Sequence, residues 1–344
     1  MSAKAVRNSN LELYRVIVMV LIVAHHYFVN SGLVELASTS LDSFKSIYLY
    51  LFGMWGKTGI NCFVLITGYF MCTSSISLQK FIKLMFEVYL YRILIFLVFW
   101  ICGYEYLNTE SLTRLILPIS RVADNFTGCF ILFWLTIPFL NVLVRNLTQR
   151  QHLYLLGLSL TIYVILPLLP FNRVVMNYVT WFIILYIISS YIRLYNVQLF
   201  SNKTWGWLAL LLVFISMFSV LVCLKFNKNP YWFVSDSNAI LAVLTGVCSF
   251  MFFKDLTIPY SKFVNTLVGL GDGAGQLAQG LAHQAGQQAH MGVAHVALDL
   301  GPGGQRSHGV HHHHVNGTGA DQSLADFQTL LTGIGLGDQH GVDV

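Results

Sequence analysis

Three ionisable side chains follow one another along the first apolar run of the chain, and their spacing places them on one helix face. Arg15 and His26 are eleven residues apart, which is three helical turns plus about 20°. Glu12 lies one turn before Arg15 and about 40° from the line of His26, whereas His25 points about 100° away from it. The spacing therefore predicts a polar stripe of Glu12, Arg15 and His26, with His25 as a packing or hydrogen-bonding neighbour.

The residue types of this stripe suit acyl transfer. A histidine buried in an apolar segment is neutral, so His26 can take a proton from a sugar hydroxyl that attacks a thioester, or its ring can itself be acylated. Arg15 is permanently charged and presents planar donors suited to phosphate or carboxylate. A rise of 1.5 Å per residue separates the two by about 16 Å, half the hydrocarbon thickness. We predict His26 as the catalytic residue, supported by Arg15 and Glu12.

Each member of the stripe also has a structural interpretation. Arg15 can extend to lipid phosphates, and His26 can form a hydrogen bond between helices. Glu12 can interact with the helix dipole or with Arg15 one turn away. Ionisable groups inside membrane spans are costly and are functional candidates by default. The sequence leaves both interpretations open.

Other polar insertions are weaker candidates. The secondary site candidates are His25, Asn61, Trp181, Asp236 and Asn238. Gly59 and Gly68, which flank Asn61 in one apolar run, predict close helix packing.

Aromatic and capping signals begin two later apolar runs. Tyr178 and Trp181 open the run that starts near residue 178, where interfacial aromatic residues are expected. Ser235 or Asp236 precedes the last apolar run and predicts a helix N-cap. These structural interpretations compete with a role for Trp181 and Asp236 in a site.

The composition indicates a membrane protein. The chain has 344 residues, of which 56% are hydrophobic and 10% charged, with a mean hydropathy of +0.64. A soluble domain is usually about 25% charged. The net charge is +5, but the 20 basic residues are scattered singly, so no nucleic-acid groove is predicted. The six cysteines show no CxxC spacing, which disfavours a disulfide framework or zinc site, and no metal site is predicted.

Apolar runs predict an all-α, polytopic transmembrane helix bundle. A bilayer needs about 20 apolar residues per span. Eight runs meet this length, and the second is interrupted by Lys57 and Asn61, so that its apolar part is expected to start late. The runs lie near 13–30, 50–71, 84–103, 127–144, 153–170, 178–195, 205–224 and 238–253. Placing the N-terminus in the cytoplasm gives ten basic loop residues inside against six outside, which favours that orientation.

The chain changes character after residue 268. Residues 271–344 hold 16 of the 27 glycines and 9 of the 12 histidines. Such sequence buries too little apolar area to offset its ordering entropy. The segment 269–344, rich in Gly, His and Gln, is therefore expected to be disordered or foreign to the membrane protein. A metal-binding histidine tract is the alternative interpretation.

Five segments together resemble the acyltransferase 3 family of bacterial integral-membrane O-acyltransferases. Its first span has an acidic residue, then Arg, ten residues and His, as at Glu12, Arg15 and His26. The set is most similar to the enterobacterial-common-antigen O-acetyltransferase-like branch and covers about residues 8–268. The similar segments are 8–28, 56–71, 130–141, 177–195 and 232–243.

The resemblance implies a function and its partners. It implies acetyl-CoA as cytoplasmic acyl donor, with no bound cofactor, and a hydroxyl of a cell-envelope polysaccharide or its lipid-linked precursor as acceptor. It also implies the bacterial plasma membrane and about ten spans. A histidine-bearing span is expected after residues 261–269, where the glycine-rich tail stands, so domain 8–268 is expected to be C-terminally incomplete. The rivals are a transporter of the polysaccharide or precursor, relaying protons through the stripe, and an inactive truncated remnant.

Overall fold

The computed structural model describes an all-helical protein. It covers residues 9–39, 43–74, 76–101, 109–117, 126–169, 174, 176–234 and 236–258, and within these residues there is no strand. The predicted all-α class is confirmed, whereas the predictions for the 269–344 tail lie outside the described residues. The helices are α1 (Ser9–Asn30), α2 (Leu33–Ser38), α3 (Phe44–Gly53), α4 (Gly56–Met71), α5 (Leu78–Ile101), α6 (Thr109–Ile116), α7 (Phe126–Asn146), α8 (Gln149–Leu160), α9 (Tyr178–Leu194), α10 (Asn202–Lys225) and α11 (Ile240–Lys254). A π-helical turn (Thr161–Ile165) and a 3₁₀ turn (Leu166–Leu168) extend α8.

Several of these helices are long and apolar enough to cross a membrane. Five segments of the described residues qualify, and α9 and α11 are shorter apolar helices. The five are Asn10–Val29, Phe44–Met71, Gly128–Asn146, Gln149–Leu168 and Asn202–Lys225. A multi-pass membrane protein is therefore supported, while the count of eight spans and the orientation stay predictions.

The second span differs from its prediction. It does not start late but begins at Phe44 in α3, turns at Met54 and Trp55, and continues as α4. Lys57 and Asn61 do not interrupt it, because both side chains are buried inside the bundle, where neighbouring helices supply polar partners. A polar residue shortens a span only when it must face lipid.

Helices α4 and α9 form the centre of the bundle. Eleven of the 16 residues of α4 and eleven of the 17 residues of α9 are buried. The outward faces of other helices are apolar instead, as at Trp207, Leu211 and Phe218 of α10. This arrangement suits a lipid environment, where the surface is apolar and polar groups are enclosed.

Glycines allow α1 to pack closely against α4. A Cβ atom at Gly59 would lie 2.8 Å from Cγ1 of Ile22, and one at Gly56 would lie 2.3 Å from the His25 ring. The later glycine of α4 thus lies against the earlier residue of α1, so α1 and α4 are antiparallel. The packing prediction for Gly59 is confirmed.

The other central contacts fix a common direction for three helices. A Cβ atom at Gly68 of α4 would lie 2.2 Å from Oγ of Ser189 in α9, which confirms the packing prediction for Gly68. Lys57, near the start of α4, contacts Tyr178 at the start of α9, so these helices are parallel. Helix α11 also runs antiparallel to α1, because Asn10 donates to the carbonyl of Phe253 at the end of α11.

Two ends of the bundle follow from these directions. The first residues of α4, α9 and α11 lie at the same end of the bundle as His25 and His26 of α1, and we call this the His26 end. The last residues of the same three helices lie toward the start of α1, and we call this the Arg15 end.

Candidate functional site

Helix α1 is continuous from Ser9 to Asn30, so the predicted stripe has the expected helical register. Nη1 of Arg15 lies 3.5 Å from Oε2 of Glu12, one turn away. The side chains are 31% and 13% exposed, respectively. The structural interpretation of Glu12 as a partner of Arg15 is thus confirmed, and the Arg15 side chain stays partly accessible.

Both histidines are buried within the bundle. His26 is 2% and His25 is 4% exposed, and their ring centroids are 5.6 Å apart in an edge-to-face arrangement. Nδ1 of His25 lies 2.5 Å from the carbonyl oxygen of Gly53. A carbonyl only accepts, so Nδ1 of His25 donates and carries a proton. The prediction that His25 is a packing and hydrogen-bonding neighbour is confirmed, and its ring fits against Gly56 because that residue has no side chain.

Lys57 joins this region from α4 and was missed as a site residue by sequence reasoning. The side chain is 3% exposed, and Nζ donates to the hydroxyl of Tyr178 at 3.0 Å. The ammonium also lies 5.5 Å from the centroid of the Tyr178 ring, and it is close enough to interact electrostatically with His25. A lysine inside an apolar run was the available signal, since an intramembrane charge is a functional candidate.

Asn61, one turn after Lys57, connects α4 to α9 and to the segment before α11. Its Oδ1 accepts from Nε1 of Trp181 at 2.9 Å, and its Nδ2 donates to the carbonyl of Ser237 at 2.6 Å. The interpretation of Tyr178 and Trp181 as interfacial aromatics is wrong, because both are buried and their polar atoms bind partners inside the bundle. The secondary candidates Asn61 and Trp181 therefore lie together beside Lys57.

The remaining candidates, Asn238 and Asp236, lie in the segment before α11 and differ in burial. Asn238 is buried, and its Nδ2 donates to the carbonyl of Tyr163 at 2.7 Å. The side chain of Asp236 is exposed and is not an N-cap, because α11 begins at Ile240 after Ala239 without a side-chain cap. Ser235 lies outside the described residues. The structure thus brings Asn238 to the bundle interior and leaves Asp236 at its surface.

We call the set His25, His26, Lys57, Asn61, Tyr178 and Trp181 the buried polar cluster. It combines imidazoles that exchange protons, an ammonium that stabilises negative charge and a phenol that donates a hydrogen bond. Three helices supply it, and apolar packing encloses it. Such a cluster can perform proton transfer next to a developing negative charge with little water present.

The part of the chain that the structure describes contains no group of three or more His, Cys, Asp or Glu side chains able to hold a metal ion. The histidines of the 269–344 tail lie outside it. Comparison of the chain with protein-family models, with curated proteins and with solved structures finds no match.

Proposed function

We propose that this protein is a membrane O-acyltransferase that moves an acetyl group from acetyl-CoA to a hydroxyl of a cell-envelope polysaccharide or its lipid-linked precursor. The observation that supports it is the burial of His26 against the ring of His25 in an apolar bundle, three turns along α1 from the Glu12–Arg15 pair. His25 in turn lies within electrostatic reach of the buried ammonium of Lys57. We place the protein in the bacterial plasma membrane with the Arg15 end in the cytoplasm, as the loop charges favour.

In this proposal His26 is the general base. Its neutral imidazole takes the proton of the acceptor hydroxyl, and the hydroxyl oxygen forms a bond to the thioester carbonyl carbon. The carbon–sulfur bond then breaks, and the coenzyme A thiolate receives the proton from the imidazolium. Proton transfer by a positioned side chain contributes about 10²–10⁴-fold to such reactions.

The neighbours of His26 have separate roles in this proposal. Lys57 stabilises the negative charge that develops on the thioester oxygen, and its bond to Tyr178 holds the ammonium in place. His25, fixed by the carbonyl of Gly53, holds the His26 ring from one side. Arg15 keeps accessible donors for the anionic part of the donor at the cytoplasmic surface. Burial of His26 favours transfer to the sugar because water is a competing acceptor.

A transfer assay tests the proposal. Membranes containing the protein receive radiolabelled acetyl-CoA and a polysaccharide acceptor, and label in the polysaccharide is measured for the wild type and for His26→Ala. The matched control is His152→Ala, which removes another buried histidine that binds the carbonyl of Ile187 in α9. We expect His26→Ala to lose at least about 100-fold of the transfer rate, and His152→Ala to retain activity in proportion to folded protein. Equal label in His26→Ala and wild type would remove His26 as the catalyst.

A transporter is the second candidate, and the buried titratable groups of α1 and α4 favour it as a proton relay. A transporter moves labelled polysaccharide precursor into proteoliposomes in response to a pH gradient without acetyl-CoA. Precursor uptake without acetyl transfer would support this candidate over the enzyme. Absence of both activities in folded protein would support an inactive remnant.

A further inference from the structure

A pocket lies at the Arg15 end, between α7 and the connection from α4 to α5. The pocket has a volume of about 380 Å³, within the range of small-molecule sites. Its polar lining consists of Ser74, Asn141, Arg145 and Asn146. None of these residues belongs to the buried polar cluster.

The guanidinium of Arg145 is held in place by the backbone of Cys72, the residue that follows α4. Nε and Nη2 donate to the carbonyl oxygen of Cys72 at 3.1 and 2.7 Å. A guanidinium has five N–H donors, so these two bonds leave three donors for a ligand. Because the carbonyl already fixes the side chain, binding through the remaining donors orders little further.

The neighbouring asparagines are also fixed by local bonds. Nδ2 of Asn141 donates to the carbonyl of Met71 at 3.2 Å, and its Oδ1 accepts from the hydroxyl of Tyr186. Nδ2 of Asn146 donates to the carbonyl of Val142 at 2.7 Å. Among the described residues that line the pocket, Arg145 is the charged one, and its positive charge favours an anion.

We propose that this pocket binds a phosphate group through Arg145. A preoriented guanidinium suits phosphate because its planar donors match two oxygens of the group. At the end of the bundle that also holds Arg15, the phosphate has two sources: the nucleotide part of coenzyme A or the headgroup of an anionic lipid. The first source rests on the proposed function, whereas the second does not.

Two binding measurements test the site and separate its sources. The full chain is placed in nanodiscs of phosphatidylcholine, and binding of coenzyme A without an acyl group is measured. In a second arm, enrichment of spin-labelled phosphatidylglycerol over phosphatidylcholine at the protein surface is measured. The variants are Arg145→Gln and Asn146→Asp, and Arg150→Gln is the control because it removes an exposed charge that does not line the pocket.

We expect Arg145→Gln and Asn146→Asp to weaken binding about tenfold in one of the two measurements, coenzyme A binding or phosphatidylglycerol enrichment. Arg150→Gln should leave both unchanged. Asn146→Asp adds a negative charge and leaves both Arg145 bonds to Cys72 intact, so it reports on the site even where Arg145→Gln unfolds the protein. Weaker coenzyme A binding assigns the site to the donor, and weaker phosphatidylglycerol enrichment assigns it to lipid. Unchanged values for Asn146→Asp in both arms would overturn the proposal. If the variants alter coenzyme A binding but the protein shows no acetyl transfer, the phosphate site is retained and only the proposed function is rejected.

Discussion

At the scale of single residues, Lys57 is the group whose position most needs a physical reason. A charged side chain buried in an apolar bundle is costly unless partners compensate it. The bond to Tyr178 and the ring of the same residue supply part of this compensation. Because apolar side chains often replace buried charges without loss of stability, folding alone does not require a lysine here, which agrees with the proposed role of Lys57.

Replacement of Lys57 tests that explanation. We expect Lys57→Met to change the free energy of unfolding by less than about 2 kcal/mol, because methionine fills a similar volume without a charge. Acetyl transfer should fall by about 10²–10³-fold, the usual effect of losing one donor to a developing oxyanion. Thermal unfolding in detergent and the transfer assay measure the two quantities, with Lys203→Met on the exposed start of α10 as control. Full transfer by a stable Lys57→Met protein would assign Lys57 a purely structural role.

Cys72, which follows α4 at the Arg15 end, gives a prediction about pH. Burial raises the pKa of the Cys72 thiol from 9.0 to about 11, although Arg193 and Arg145 act in the opposite direction. The thiol stays protonated at pH 7–8 and should resist maleimide in the folded protein. A raised pKa favours the protonated folded state, so this contribution to stability is complete below pH 9 and is lost as pH rises toward 11.

Peptide mass spectrometry measures the adduct on Cys72 at pH 7.5 and at pH 10.5. Protein unfolded in detergent and urea is the control, since its thiol should react at the ordinary pKa. Rapid labelling of Cys72 in the folded protein at pH 7.5 would contradict the buried position.

At the scale of helices, the approach of α1 to α4 determines where both histidines lie. Gly53 and Gly56 accept Phe28 and His25 of α1 at distances that a Cβ atom would not permit. The carbonyl of Gly53 also orients the His25 ring. Small residues therefore determine the geometry of the buried polar cluster although they take no part in its chemistry.

A glycine pair tests this role. Gly56→Ala places a Cβ atom 2.3 Å from the His25 ring, and we expect a loss of about 1–3 kcal/mol in stability as α1 moves away. Gly157→Ala is the matched control, because no atom lies within 4 Å of its Cβ position in α8. There we expect no loss, or a gain below about 1 kcal/mol. Thermal unfolding compares the two variants, and equal stability would argue against close packing of α1 on α4.

At the scale of the whole molecule, the bundle encloses its polar groups and presents apolar side chains outward. Trp207, Leu211, Phe214 and Phe218 follow one face of α10 and are exposed, as expected where lipid replaces water. Arg145 and Arg193 lie at the Arg15 end, where they bind the carbonyl of Cys72 and the hydroxyl of Tyr69. Basic residues at one end are consistent with a cytoplasmic Arg15 end.

Exposed lysines at the two ends of α10 test the orientation. Lys203 and Lys228 are exposed at opposite ends of this helix, one of the five that are long enough to span a membrane. We expect Lys203→Cys to react with an impermeant maleimide in inverted vesicles, and Lys228→Cys to react in intact spheroplasts. Each is placed in a background lacking Cys102, because the other five cysteines are buried. Reaction of both positions from one side would exclude a spanning α10. The reversed pattern would place the N-terminus outside.

The sequence by itself predicts the all-α class and the approximate position of apolar helices other than the second span, because a span requires a long apolar run whatever its neighbours are. It also predicts the register of Glu12, Arg15 and His26, which depends only on the geometry of one helix. It does not predict which polar residues of different helices become partners. Lys57 and Tyr178 are 121 residues apart, and Asn61 and Trp181 are 120 apart, so their contacts depend on how α4 packs against α9.

Tertiary structure therefore decided which polar residues form the cluster. The position of Trp181 at the start of an apolar run is typical of an interfacial aromatic residue. In the structure, however, Nε1 of Trp181 donates to Oδ1 of Asn61 inside the bundle. In the sequence, Lys57 predicts an interruption of the span. In the structure it is buried, because Tyr178 accepts its hydrogen bond and glycines allow α1 to pack closely beside it. Local sequence specifies each helix, but the free energy of a buried polar group depends on partners that only packing brings within bonding distance.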